Sequence, residues 1–297
     1  MLKKLVALAL LFVLAPMQLL VSAPVRAAGE RLLFWQVNTG RAEVYLLGSM
    51  HLARPEIYPL RETITEAFER SDALAVELDI GGSNQLSVQQ RMAERGTYPE
   101  GESIRDHISE QSWEGLKTRL EANGLPPAMM ERMKPGLVLT TLSTIEMMKL
   151  GLRSELGIDR HFLEKARGRK PIIELETIDQ QLDVLLDFPQ PDLLVQQSLL
   201  QLDNLDLMMS ELVDFWKRGD AAALQKLIID DELAVHPEFQ AIHQRMFVDR
   251  NRRMTDEIVA LQQRGGRYFV VVGAGHLVGE QGIIALLEKR GQKPRQL

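Results

Sequence analysis

The sequence predicts an α/β fold: a central mixed sheet interrupted by large helical insertions. Short apolar runs occur early, midway and late along the 297 residues, with helix-patterned stretches between them. Two of these runs end in the same short pattern, Gly48-Ser49-Met50-His51-Leu52 and Gly273-Ala274-Gly275-His276-Leu277. A strand that stops at a glycine and presents a histidine three positions later can set an imidazole on the rim of a sheet.

Taken in order, Arg31 to Val37 and Glu43 to Leu47 read as two strands joined by the turn Asn38-Thr39-Gly40, a hairpin. Pro59 to Arg70 reads as a helix. Ala73 to Asp79 reads as a strand carrying carboxylates toward its end, stopped by Gly81-Gly82. From about Asn84 to Gly168 the pattern is mostly helical, punctuated by Pro126-Pro127 and Pro135-Gly136. Pro171 to Leu175 is a short strand. Thr177 to Lys217 returns to helix, broken near Pro189 and Pro191, and Ala221 to Ile229 and Pro237 to Arg264 continue it. Tyr268 to Val272 is the last strong strand, followed by a helix from Glu280 to Arg290. One insertion therefore precedes the fourth strand and another the fifth. No long linker separates these elements, so residues 28–297 are expected to form a single domain.

Residues 1–27 read as a secretory signal. Lys3 and Lys4 supply the positive start, Leu5 to Val21 the apolar stretch, and Val25-Arg26-Ala27 a small-residue cleavage site. The expected location is the periplasm. The alternative is an uncleaved anchor, because the apolar stretch is longer than most signal cores. With no cysteine, a lipidated N-terminus, a disulfide and a thiol nucleophile are all excluded. No second segment is long and apolar enough to span a bilayer. Losing three basic residues with the signal takes the net charge from −6 to −9. That acidity argues against a nucleic-acid partner, which would favour a basic face.

In α/β sheets, ligands bind beyond the carboxyl ends of strands. His51, Glu77 and His276 fall near or just past such ends, and two imidazoles with a carboxylate suit Mn, Fe, Co or Zn. Either histidine alone is a weak signal. Arg250 and Asn251 lie in a helical stretch, where Arg250 could hold a carboxylate or oxyanion and Asn251 could donate a hydrogen bond. A solvated helix face is the plainer reading. Glu176 could be a ligand or general base, or a carboxylate favoured at a helix start. Asp159 reads as a helix cap, and His107, His236 and His243 have no partner pattern. Neither a His-Glu-x-x-His pair, a Gly-x-Ser-x-Gly elbow nor a P-loop is present.

Together these segments resemble the TraB/GumN family, related to the Tiki metalloproteases. The resemblance rests on Leu47-Gly48-Ser49-Met50-His51, the Glu77 strand, Gly157-Ile158-Asp159, Leu175-Glu176-Thr177, Arg250-Asn251 and Val272-Gly273-Ala274-Gly275-His276-Leu277. It implies an α/β fold and, through the Tiki branch, metal-dependent cleavage of a peptide or protein substrate with manganese or cobalt. Carried over by position, His51, Glu77 and His276 become the metal or catalytic residues, supported by Arg250 and Asn251. The expected function is an exported metal-dependent peptidase. The alternative is a binding protein that sequesters a peptide or a haem-like ligand without turnover.

Overall fold

The structure is a computed structural model that describes residues 31–79 and 85–297. The expected signal segment and Gly81-Gly82 lie outside the described residues. Six strands form one mixed sheet: β1 (Phe34–Asn38), β2 (Ala42–Ser49), β3 (Ala73–Val76), β4 (Ile172–Glu174), β5 (Gly266–Gly273) and β6 (Arg295–Gln296). Their spatial order is β4-β3-β5-β2-β1-β6. The hairpin β1–β2 is antiparallel, whereas β2, β5, β3 and β4 run parallel to one another. The central parallel strands β2, β3 and β5 carry short continuous apolar runs, as expected where both faces are covered. Val44 to Leu47 and Tyr268 to Val272 are buried throughout.

Phe269 of β5 centres the packing beneath the sheet. Its ring lies 4.7 Å from Phe162, 5.5 Å from Phe68 and 5.8 Å from Phe34, centroid to centroid. Phe68 belongs to the helix Glu62–Arg70 and Phe162 to the helix Ile158–Ala166. A separate apolar cluster, including Ile104, Trp113, Leu116, Val138, Leu142 and Val195, holds the insertion helices to one another.

Several expected boundaries move. β1 begins at Phe34 rather than Arg31, and β3 ends at Val76, where Glu77 bends away to meet the glycine at the end of β5. The first helix begins at Glu62, since Arg61 before it is still extended at ψ 144°. The last helix begins at Ile283, after an extended Gly282. β6 pairs only Arg295 and Gln296 with β1, too short a run to show alternation in sequence. The insertion between β3 and β4 contributes the helices Gln85–Arg95, Glu110–Ala122 and Pro135–Lys149. The one between β4 and β5 contributes Ile178–Leu186, Pro191–Asp203, Leu205–Arg218 and Asp249–Arg264.

Candidate functional site

The parallel register sets Ser49 opposite Gly273, and Val76 opposite Val271. The carboxyl ends of β2, β5 and β3 therefore lie side by side, with β5 in the middle. His51 follows β2, His276 sits in the one-turn helix Ala274–Leu277 after β5, and Glu77 follows β3. Close packing at this edge requires glycine. A Cβ on Gly48 would lie 3.1 Å from the Ala274 Cα, and one on Gly157 only 2.2 Å from the His51 carbonyl oxygen. Trp216, from an insertion helix, donates its indole N–H to the Gly48 carbonyl at 2.7 Å.

Glu77 is 6% exposed and both its oxygens are engaged. Oε1 accepts the Gly273 N–H at 2.7 Å, and Oε2 accepts Arg250 Nη2 at 2.6 Å. The same Nη2 reaches Glu176 Oε2 at 2.6 Å, and Arg250 Nε bonds Glu176 Oε1 at 3.0 Å. Glu176 is brought there by backbone pairing, its N–H donating to the Glu77 carbonyl at 3.0 Å. Burial alone would raise the Glu77 carboxyl. Attraction to His276 when that ring is protonated, and to Arg250 and His51, with the Gly273 bond, carries it down to about 2. Arg250 is raised further into its charged range: burial opposes this, and Glu176 and Glu77 overcome it.

Both imidazoles have a partner on Nδ1. Asn251 Oδ1 lies 2.6 Å from His276 Nδ1, and Asn251 Nδ2 donates to the Gln281 carbonyl at 2.9 Å. The amide is thus oriented to accept from the ring. Burial pushes His276 down to about 4, against the pull of Glu77, so the ring is neutral with its proton on Nδ1. Its Nε2 faces Glu77 Oε1 at 3.7 Å. On the other side, His51 Nδ1 lies 3.1 Å from Asp159 Oδ2, and Asp159 Oδ1 accepts the Ser49 hydroxyl at 2.7 Å. Asp159 raises His51 to about 9, through its charge first and its hydrogen bond second. The His51 side chain remains 60% exposed.

An imidazole whose Nδ1 is held by a carboxylate or amide oxygen offers Nε2 outward, the arrangement found around metal-ligating histidines. The donors fit a divalent ion in kind. They are not gathered into a cage: among the described residues, no three His, Asp or Glu side chains are grouped closely enough to hold one.

All five expected site residues come to one edge of the sheet, but two have other contacts than their sequence positions implied. Arg250 is committed to Glu77 and Glu176 rather than left facing a ligand. Asn251 accepts from His276 with its oxygen and donates only to backbone. Asp159 is the residue that sequence reasoning missed. The helix it belongs to is preceded by Gly157, so Asp159 lies inside the first turn, free to reach Ser49 and His51. Its signal was the Gly157-Ile158-Asp159 triplet, and a helix-start aspartate has a simpler explanation when no partner is visible. Of the remaining histidines, His107 meets Glu102, His236 meets Glu238, His161 packs on Tyr58, and His243 stacks on Phe247, whose ring in turn packs on His276.

The class defined here is an α/β protein with a polar cluster at the carboxyl edge of three parallel strands, walled by inserted helices. The chain belongs to the TraB/PrgY/gumN family, which it matches over residues 33–296. It is 26% identical to the uncharacterized protein YbaP of Escherichia coli, over 84% of this chain and 89% of that protein. It is 22% identical to Metalloprotease TIKI1 of Danio rerio, over 83% of this chain and 59% of that protein. No solved structure matches.

Proposed function

We propose that this protein is an exported, metal-dependent peptidase whose ion is held by His51, Glu77 and His276. The observation that carries this reading is the matched pair of Nδ1 partners, Asp159 on His51 and Asn251 on His276, which leaves Nε2 of His276 turned to Glu77 and Nε2 of His51, once it gives up its proton, as donors at neighbouring strand ends. The distant similarity to a protein named as a metalloprotease agrees with it. Manganese and cobalt are the favoured ions, and a bound ion would supply a water of lowered pKa. The rest of the work belongs to the chain. Asn251 and Asp159 fix ring orientation. Arg250 keeps Glu77 ionised and in place against Glu176. His51, the exposed member, is the group a substrate meets first. Export rests on the reading of residues 1–27; no described helix is long and apolar enough to cross a membrane.

The test is metal content of protein purified without chelator or nickel, beside the His51→Ala/His276→Ala double variant, followed by a peptide cleavage assay with the retained ion. Stoichiometric metal and cleavage in the wild type alone support the reading. Equal metal retention in both proteins refutes the assignment.

A second reading is a ligand-capturing protein without turnover. It is favoured by the engagement of both Glu77 oxygens, by Gly273 on one and Arg250 on the other, which leaves the carboxylate fewer lone pairs to offer an ion. Stable capture of a peptide, with its mass unchanged after long incubation with metal, would support it over the first.

A further inference from the structure

The polar edge forms one side of a cavity of about 410 Å³, which holds His51, Glu77, Asp159 and Arg250. The opposite side is apolar and comes from both insertions. Val88 and Met92 project from the helix Gln85–Arg95, Ile178, Leu182 and Leu185 from the helix Ile178–Leu186, and Met246 from the π-helical segment Gln244–Val248 that leads into Asp249–Arg264. The volume falls within the roughly 300–1,000 Å³ of small-molecule sites, so the wall holds at least one large side chain.

The polar groups bordering this wall are already paired. Thr140 donates its hydroxyl to the Gly136 carbonyl at 2.7 Å. Gln181 Nε2 donates to Glu176 at 3.2 Å and contacts Glu77 at 3.5 Å. Outside the cavity, Arg91 binds Asp179 at 2.6 Å and Arg95 binds Asp183 at 2.5 Å, tying the two wall helices together. A charged or amide side chain entering from a ligand would lose water and find only the Thr140 hydroxyl and the Gln181 amide oxygen to replace it on this side. An aliphatic one would lose nothing, and two methionines let the wall adjust to its shape.

We infer that this wall is a specificity pocket for an aliphatic side chain of a peptide, adjoining the His51–Glu77 edge, and that Met92 and Met246 set the preference. The inference rests on the peptidase reading for its substrate class. It names the side chain recognised and the residues that select it.

The test separates the two. Fluorescein-labelled heptapeptides of glycine and serine carry one varied central residue: leucine, methionine, aspartate or lysine. Binding is measured by anisotropy in EDTA, and cleavage by mass spectrometry with manganese or cobalt. The wild type should bind the leucine and methionine probes at least about tenfold more tightly than the charged ones, the scale on which a hydrophobic pocket discriminates. Met92→Lys should shift the preference to the aspartate probe. If that variant does not fold, Met246→Ala and Met92→Ala should each weaken the aliphatic probes severalfold while leaving the charged ones unchanged. Equal binding of all four probes, binding of none, or an unchanged preference in the folded variants overturns the pocket. Aliphatic preference with no cleavage under any ion leaves the pocket standing and removes the peptidase.

Discussion

Asn251 holds His276 by a 2.6 Å contact from its amide oxygen to ring Nδ1, and both residues are almost wholly buried. The contact fixes which nitrogen carries the proton. Asn251→Leu should leave that buried N–H without an acceptor, costing about 1–3 kcal/mol of stability. Metal affinity should drop by roughly 10- to 100-fold, as is typical when such a partner is lost. Urea unfolding and a cobalt titration measure the two effects. An unchanged affinity in a folded variant would show that His276 orientation does not matter to the ion.

His276 also makes the fold sensitive to acid. Its folded pKa, about 4, is below the ordinary 6.5, so the unfolded chain takes up the proton first as pH falls. Stability should decline from about pH 6.5 toward 4. Glu77, held at about 2, adds a further loss below its ordinary 4.5. Urea midpoints at pH 7, 5.5 and 4.5 should fall in that order, and His276→Gln should flatten the upper part of the decline.

His51 behaves in the opposite sense. Asp159 raises it to about 9, so the stability gained from the pair is fully present below about pH 6.5 and is lost as pH rises through 9. The ring is more than half exposed, so solvent screens the effect and it will be modest. The gap in stability between wild type and Asp159→Asn should therefore narrow between pH 6 and pH 10 in metal-free protein. It should not close, because the variant also perturbs the Ser49 contact. A gap that is constant with pH would mean the pair carries no charge.

Arg250 is the counter-charge for two buried carboxylates. Removing one member of a buried ionic cluster is severe because the partners stay behind. Arg250→Ala should cost about 3–5 kcal/mol, and Arg250→Lys should recover only part of that, since one ammonium cannot reproduce the forked contacts to Glu77 and Glu176. Adding Glu176→Gln to Arg250→Ala should restore stability by removing one stranded charge. Thermal unfolding of the three variants decides it.

The sheet was legible because its central strands are short, continuous apolar runs closed by glycines, and parallel strands covered on both faces have no other pattern to show. β6 was not, because two residues cannot display a period. The site was half legible. His51, Glu77 and His276 announce themselves by position after a strand. What each one touches depends on chain segments far away in sequence: Asp159 is 108 residues from His51, and Arg250 is 173 from Glu77. Such pairings leave no local spacing. Arg250 and Asn251 illustrate the limit, since adjacency on one helix gave no hint that one would serve Glu77 and the other His276.

Gly157 tests how tightly this edge is built. Its backbone lies in a region any residue can adopt, so its need for glycine is a matter of space alone. A Cβ there would stand 2.2 Å from the His51 carbonyl oxygen and 3.1 Å from that of Ser154. The first of these atoms cannot give way without moving His51, because the neighbouring Met50 carbonyl accepts the Ile158 N–H at 3.0 Å. Gly157→Ala should therefore shift the His51 loop and the helix bearing Asp159 apart. The expected loss is about 1–3 kcal/mol, the range for forcing an extra methyl into packed structure, together with weaker metal binding. Gly168→Ala is the control: its φ is +70° with nothing within 4 Å of the added carbon. That variant should lose about 1 kcal/mol through left-handed strain and keep its metal affinity. If the two variants lose affinity equally, the effect comes from general loosening, and the contact between Gly157 and His51 does not position the imidazole.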